Sequence, residues 1–205
     1  MLAEKTVKDF VSEAASAAPV PGGGGVSALV GALGIALGNM VGELTTGKKK
    51  YADVEEDIQA LMTEAGNIKE TLLSLIEEDA QAFEPLAKAY GIPKDDPSRA
   101  EVLEAATRNA CKAPYEMMVQ IAKSIELLEE MGTKGSKMLV SDVGCGALFA
   151  RAALEAASMN VFVNTKSYKA TDWAPELEAK CDALLSEYIP RAEACAASVM
   201  ARIRG

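Results

Sequence analysis

Apolar residues recur at spacings of three and four along most of the chain, which is the pattern of α-helices that each bury one face. The longest such segment, residues 53–90, forms a seam whose positions are Ile58, Leu61, Ala65, Ile68, Leu72, Leu75, Asp79, Ala82 and Leu86. Pro85 is expected to bend the last turns of this helix. Asp79 is the one charged residue in the seam.

A second long helix is predicted for residues 26–44, which are rich in Gly, Ala and Leu. Its glycines repeat every four residues, at Gly34, Gly38 and Gly42. This repeat predicts that other backbones come close to the helix. An earlier helix, capped by Thr6, is expected to end at Pro19, and residues 22–25 are predicted to form a flexible turn between the two helices.

After a connector over residues 91–97, Ser98 and Glu101 predict a capping box at the start of the next helix. Pro114 is expected to kink or divide that helix, which then ends in a loop over residues 132–137. Asp172 is predicted to begin a last helix, which Pro190 is expected to kink.

Ser141 and Asp142 are predicted to open an Ala-rich helix that runs towards Asn164. The only candidate strand is residues 161–163. We therefore predict an all-α fold, a single-domain helical bundle over residues 1–205 with long amphipathic helices and a buried Gly/Ala-rich helix.

The stretch between Glu13 and Glu43 has no charged residue, which raises a membrane-spanning alternative. Two prolines and four consecutive glycines interrupt it, so a buried central helix is preferred. The four cysteines show no CxxC spacing and are expected to be reduced thiols. Together with a first segment that lacks a signal-peptide core, they predict a cytoplasmic protein.

The charge balance and the absence of histidine limit the chemistry. A net charge of −9 argues against nucleic acid or an anionic membrane as a partner. No histidine is present, so a histidine base and a histidine metal ligand are excluded. Carboxylates, Lys, Tyr, Cys and backbone dipoles remain for proton transfer.

Asp79 occupies a seam position where the apolar pattern predicts Leu or Ile. A carboxylate at such a position is paired, hydrogen-bonded or raised in pKa, and a raised pKa suits a group that exchanges protons near neutral pH. The sequence leaves open a catalytic role, a buried ion pair and a helix cap in the core.

Two other sets of polar residues could line a site. Asp142 shares one helix face with Asn160 and Asn164, and capping is the simpler role for Asp142. The 18 residues from Asp142 to Asn160 span about 27 Å of helix. The two ends therefore belong to different parts of a site or meet only across subunits.

Two motifs could bind an anion. The glycines at 22–25 precede a helix N-terminus, which can bind an anion, although a flexible hinge explains them equally well. The run Lys48-Lys49-Lys50-Tyr51 could bind carboxylates or could simply be solvated.

Taken in order, six motifs resemble the formiminotransferase-cyclodeaminase C-terminal family, whose members include stand-alone methenyltetrahydrofolate cyclohydrolases. They lie at residues 21–29 (PGGGGVSAL), 46–51 (TGKKKY), 78–83 (EDAQAF), 92–94 (IPK), 141–144 (SDVG) and 160–164 (NVFVN). Gly25 departs from the family, where many members have serine, so that hydroxyl is absent here.

The resemblance implies an all-helical homodimer with a folate substrate and neither a metal nor a redox cofactor. It implies catalysis by Asp79, with Asp142 as a second candidate. The implied substrate-binding residues are Gly22, Gly23, Gly24, Gly25, Ser27, Lys48, Lys49, Lys50, Tyr51, Ser141, Asn160 and Asn164. The expected reaction is hydrolysis of 5,10-methenyltetrahydrofolate to 10-formyltetrahydrofolate. Formiminotetrahydrofolate cyclodeaminase activity and a non-catalytic, folate-binding helical dimer are the alternatives.

Overall fold

Helical segments separated by short turns account for nearly the whole chain in the structure, a computed structural model that describes residues 1–205. The α-helices are, in chain order, α1 (Val7–Ala14), α2 (Gly23–Glu43), α3 (Glu55–Tyr90), α4 (Arg99–Ala110), α5 (Lys112–Lys134), α6 (Val140–Thr165) and α7 (Trp173–Arg204). No residue is in a strand, and residues 161–163 belong to α6. The predicted all-α class is confirmed.

The Gly/Ala-rich helix α2 lies at the centre of the bundle, where α3 and α6 pack on it and α5 completes the core. Its glycines allow these close contacts, as predicted. A Cβ on Gly34 would lie 3.0 Å from the backbone oxygen of Gly146 in α6, and a Cβ on Gly42 would lie 2.5 Å from Cγ of Met62 in α3. Gly23 faces Asn160 at the other end of the pair, so α2 and α6 run antiparallel.

The seam predicted for residues 53–90 is the buried face of α3. Ile58, Ile68 and Leu72 are fully buried, whereas Asp79 is only half-buried. The helix continues past Pro85 to Tyr90. The predicted helix and its apolar face are therefore confirmed, with the carboxylate at the edge of the core.

Several predicted boundaries are corrected by the structure. Thr6 caps α1 as predicted, accepting a hydrogen bond from the Asp9 backbone N–H at 3.1 Å, but α1 already ends at Ala14. The flexible turn predicted for residues 22–25 is wrong. Only Gly22 lies outside the helix, as the N-cap of α2, and the next three glycines form its first turn.

The region around α4 and α5 also differs in detail. The capping box predicted at Ser98 is absent, because the Ser98 hydroxyl donates to Asp96 at 2.7 Å instead of capping α4. The division predicted near Pro114 is confirmed, since α4 and α5 separate at Cys111 and Pro114 stands in the first turn of α5, where proline is tolerated. The loop predicted over residues 132–137 is shorter, because α5 continues to Lys134.

By length and composition, α2 and the segment Lys137–Thr165 could each cross a membrane. In the bundle they pack against each other, and about half of each apolar window is buried. The remaining side chains leave an apolar surface, called here the α2/α6 face, formed by Val26, Leu33, Met40, Leu148, Phe149, Met159 and Val163.

The contact between Gly34 and Gly146 predicts a stability effect. A Cβ on Gly146 would lie 2.7 Å from the Gly34 backbone oxygen and 2.8 Å from a Leu128 methyl carbon. We expect Gly146→Ala to lower the free energy of unfolding by about 1–3 kcal/mol through overpacking, measured by urea unfolding. Gly66→Ala is the control, because nothing lies within 4 Å of its Cβ and alanine favours the helix by up to about 1 kcal/mol. Equal stability of the two variants would show that these glycines do not set the helix distance.

Candidate active site

The side chain of Asp79 lies against the first turn of α2. A Cβ on Gly24 would stand 2.5 Å from Asp79 Oδ2 and 2.7 Å from Oδ1, so the carboxylate occupies the space that a side chain at position 24 would need. The first backbone N–H groups of a helix have no acceptor within the helix and carry partial positive charge. Starting α2 at Gly23 therefore presents these donors to the carboxylate.

Two opposing effects act on the ionisation of Asp79. Burial raises the pKa of this carboxyl, and the backbone N–H of Gly25 lowers it by a smaller amount. No Lys or Arg side chain forms an ion pair with Asp79. The ion-pair alternative is therefore wrong, and the carboxylate interacts with a helix N-terminus while it remains without a cationic partner.

Asp79 opens into a cavity of about 170 Å³, called here the Asp79 cavity. Its walls come from the loop before α2, from α3, from the α4–α5 junction and from the end of α6. The lining residues are Pro19, Val20, Gly22, Gly23, Gly24, Asp79, Phe83, Ala110, Pro114, Asn160, Val163 and Asn164. Five of the twelve are predicted site residues in addition to Asp79.

The two asparagines present acceptors to this cavity. Asn160 Nδ2 donates to the Ala156 backbone oxygen at 2.9 Å, and Asn164 Nδ2 donates to the Asn160 backbone oxygen at 3.0 Å. One N–H of each amide is engaged by α6 itself, and neither Oδ1 atom accepts a hydrogen bond within the protein, so both can accept from a ligand. Asn160 Oδ1 also lies 3.3 Å from the position of a Cβ on Gly23, so a side chain there would crowd it.

Some lining residues were absent from the predicted site. Phe83 follows Asp79 by four residues and therefore shares its helix face, a signal that the sequence contains. Val20 directly precedes the predicted motif at residues 21–29. Ala110 and Pro114 reach the cavity only through the packing of distant segments, so no local pattern marks them.

Two predicted binding residues face the protein instead. Ser27 is buried, and its hydroxyl donates to the Gly23 backbone oxygen at 2.6 Å. A Cβ on Gly25 would meet Pro21 at 3.3 Å and Ile76 at 3.4 Å, so this glycine packs the turn before α2 onto α3. Both residues support the start of α2 and do not line the Asp79 cavity.

The remaining predicted residues lie at the other end of the bundle. Lys48, Lys49, Lys50 and Tyr51 follow the C-terminal end of α2, and Ser141 and Asp142 lie in the first turn of α6. The Tyr51 hydroxyl accepts a hydrogen bond from the Lys137 backbone N–H at 3.3 Å, which joins these two segments. The 21 residues of α2 separate this second group from Asp79 by about 30 Å. One subunit therefore does not bring the two groups together.

Comparison with known proteins matches residues 6–183 to the family model described as formiminotransferase-cyclodeaminase. A methenyltetrahydrofolate cyclohydrolase from Methylorubrum extorquens is 36% identical over 91% of this chain and 92% of its own length. The formimidoyltransferase-cyclodeaminase of Sus scrofa is 30% identical over 91% of this chain, which spans 35% of that longer protein.

A solved structure shows the same fold. The formiminotetrahydrofolate cyclodeaminase of Thermotoga maritima superposes with a TM-score of 0.84 at 28% identity, covering 100% of this chain and 98% of its own. The match extends over the α2 N-terminus, α3 and α6, the elements that hold the Asp79 cavity. The chain belongs to the formiminotransferase-cyclodeaminase family.

Proposed function

We propose that this protein is an enzyme that hydrolyses 5,10-methenyltetrahydrofolate to 10-formyltetrahydrofolate, with Asp79 as general base and acid. The observation that carries the proposal is a half-buried carboxylate that has no cationic partner in the protein. The one-carbon bridge of the substrate is a cationic amidinium and would supply that partner. The similarity to the cyclohydrolase of Methylorubrum extorquens supports the same reaction.

The reaction needs one proton to move from the attacking water to N5 of the substrate. Water adds to the bridge carbon while Asp79 accepts one of its protons, which gives a neutral tetrahedral adduct. The bond from carbon to N5 then breaks, N5 takes the proton from Asp79, and the adduct hydroxyl loses its proton to solvent as the formyl C=O forms. One proton is released overall. A carboxyl with a raised pKa suits both steps.

The rest of the cavity would bind the folate ring. Backbone N–H groups at the α2 N-terminus suit a carbonyl oxygen, and the Oδ1 atoms of Asn160 and Asn164 suit ring N–H donors. Phe83 offers an aromatic surface beside Asp79. No metal or redox cofactor is needed for these steps.

The rival activity is formiminotetrahydrofolate cyclodeaminase, which the similarity to the Thermotoga maritima enzyme favours. It could use the same aspartate to protonate departing ammonia. Purified protein given each folate separately distinguishes the two. Loss of methenyl absorbance supports the cyclohydrolase, ammonia release supports the cyclodeaminase, and turnover of neither would refute both.

We further propose a cytoplasmic homodimer formed through the α2/α6 face. Leu33, Met159 and Val163 are 53–67% exposed on this face, an unusual amount of apolar surface for a monomer. The Asp79 cavity, at about 170 Å³, is smaller than the roughly 300 Å³ of a typical ligand site, and Val163 lies both in its wall and on the face. A second subunit would enlarge and cover the cavity.

In an antiparallel dimer, the α2 N-terminal end of each subunit would face the α2 C-terminal end of the other. The second group of predicted residues, from Lys48 to Tyr51 with Ser141 and Asp142, would then reach the Asp79 cavity of the partner. This arrangement would give those residues the substrate-binding role, and Asp142 the catalytic role, that one subunit alone does not allow.

Asp79→Asn tests the catalytic role. We expect kcat to fall by about 10²–10⁴-fold, the usual contribution of general acid–base catalysis, while folate binding persists. In the native enzyme, kcat/KM should fall as the pH drops through the pKa of Asp79, which lies above its ordinary range. A fully active Asp79→Asn variant would leave only the non-catalytic alternatives.

The same variant has a predicted effect on stability. Because the folded protein holds the Asp79 proton more tightly than the unfolded chain, this group stabilises the fold below its unfolded pKa, and the stabilisation is lost as the pH rises through the folded pKa. At neutral pH, Asp79→Asn is therefore expected to keep or increase the free energy of unfolding, which separates lost chemistry from lost structure.

Gly24→Ala tests the position of the carboxylate. The new Cβ would stand 2.5 Å from Asp79 Oδ2, so the short aspartate side chain must shift. We expect kcat/KM to fall by about 10²-fold, as for misplaced catalytic groups, with the circular dichroism spectrum unchanged. Gly66→Ala, on the open side of α3, should retain full activity. Full activity of Gly24→Ala would argue against Asp79 as the reacting group.

Mixing of variant subunits tests the shared site. Asp79→Asn subunits, unfolded and refolded with subunits that carry Gln at positions 48–50, should regain about a quarter of native activity, because half of the dimers are mixed and each has one intact site. Asp79→Asn mixed with Asn160→Ala should regain none, since both changes lie in the same group. Equal recovery in the two mixtures would exclude the antiparallel shared site.

A further inference from the structure

A second cavity, of about 190 Å³, lies between the α4–α5 junction and the start of α7. We call it the basic cavity, because it is lined by Arg108, Lys112 and Lys180 and by a single carboxylate, that of Glu176. The chain as a whole has a net charge of −9, so this concentration of positive charge runs against the composition of the protein. None of these residues belongs to a motif of the family resemblance.

Two of these cations have no carboxylate within ion-pair distance, although Arg108 lies near enough to Glu176 to interact with it electrostatically. Lys180 pairs with Glu176 at 2.6 Å, but Arg108 and Lys112 form neither an ion pair nor a side-chain hydrogen bond. The guanidinium of Arg108 lies 5.9 Å from the centre of the Trp173 ring. That ring is held by a hydrogen bond of 2.9 Å from Nε1 to Glu104. The positive charge is therefore positioned before any ligand arrives.

The basic cavity and the Asp79 cavity share a thin wall. Cys111 lines the basic cavity, and Asn164, which lines the Asp79 cavity, contacts the Cys111 thiol through its side chain. Burial raises the pKa of Cys111 to about 11, so the thiol stays protonated at neutral pH and does not act as a nucleophile. The contact between Cys111 and Asn164 therefore has a packing role. It places the two cavities on either side of the C-terminal end of α6.

We propose that the basic cavity binds the glutamate tail of the folate whose ring occupies the Asp79 cavity. This inference rests on the proposed function. A folate has a ring system at one end and one or more glutamate carboxylates at the other, and carboxylates bind preferentially to Arg and Lys. Tyr115 and Trp173 provide apolar surface for the methylene groups of the tail. Within one subunit, the lysines at positions 48–50 lie at the far end, whereas Arg108 and Lys112 lie near the Asp79 cavity. In the proposed dimer, the basic cavity would act in addition to lysines 48–50 of the partner subunit.

The test compares substrates that differ only in the tail. KM is measured for 5,10-methenyltetrahydrofolate with one and with three glutamates, using the native protein and the double variant Arg108→Gln/Lys112→Gln. The proposal expects a lower KM for the triglutamate with the native protein. In the variant, KM for the triglutamate should rise about tenfold, the effect of losing a charge-assisted contact, while kcat is unchanged.

Lys8→Gln/Lys123→Gln is the matched control, because it also removes two positive charges from exposed side chains that lie outside both cavities. It should leave both KM values unchanged. The proposal is overturned if the tail effect survives in Arg108→Gln/Lys112→Gln, or if the Lys8→Gln/Lys123→Gln control removes it equally well.

A binding measurement separates this proposal from the proposed function. Titration calorimetry with tri-γ-glutamate needs no turnover, and comparison with Arg108→Gln/Lys112→Gln identifies the binding that comes from the basic cavity. Binding that is lost in Arg108→Gln/Lys112→Gln supports the tail site even when neither folate is turned over. Binding that persists in this variant, or is absent from a native protein that turns over methenyltetrahydrofolate, overturns it.

Discussion

The contact between Asp79 and the first turn of α2 is the constraint on which the candidate site depends. The carboxylate takes the space of a missing side chain at Gly24, and it meets backbone N–H groups that the helix cannot satisfy itself. Burial and these dipoles act on its pKa in opposite directions, and burial has the larger effect. The protein thus keeps a carboxylate that can both hold and release a proton without a histidine anywhere in the chain.

Each glycine near this contact is required by a different neighbour. Gly24 leaves room for the carboxylate, Gly23 leaves room for Asn160, and Gly25 allows the preceding turn to pack on α3. Further along α2, Gly34 lets the α6 backbone approach, which fixes where the asparagines stand relative to the α2 N-terminus. The same composition that resembles a membrane-spanning segment therefore produces a central helix with very close neighbours.

The sequence predicted the fold well, because periodic apolar positions report directly which face of each helix is buried. The seam of α3, with Asp79 as one of its positions, could be predicted from the sequence. The glycine run was misread as a flexible turn, since local propensity cannot show that a distant carboxylate and tight packing favour a helical start there. The sequence also did not show how the site residues group: the motifs of one family separate into two ends of the bundle, and Ala110 and Pro114 join Asp79 only through tertiary packing.

Val163 belongs to the wall of the Asp79 cavity and also to the exposed α2/α6 face. In the proposed dimer, this dual position couples ligand occupancy to subunit association, because a ligand that prefers the covered cavity must stabilise the dimer by the same free energy that the dimer contributes to its binding. Folate availability would then act on the assembly state of the protein, and the enzyme would lose affinity for its substrate as it is diluted.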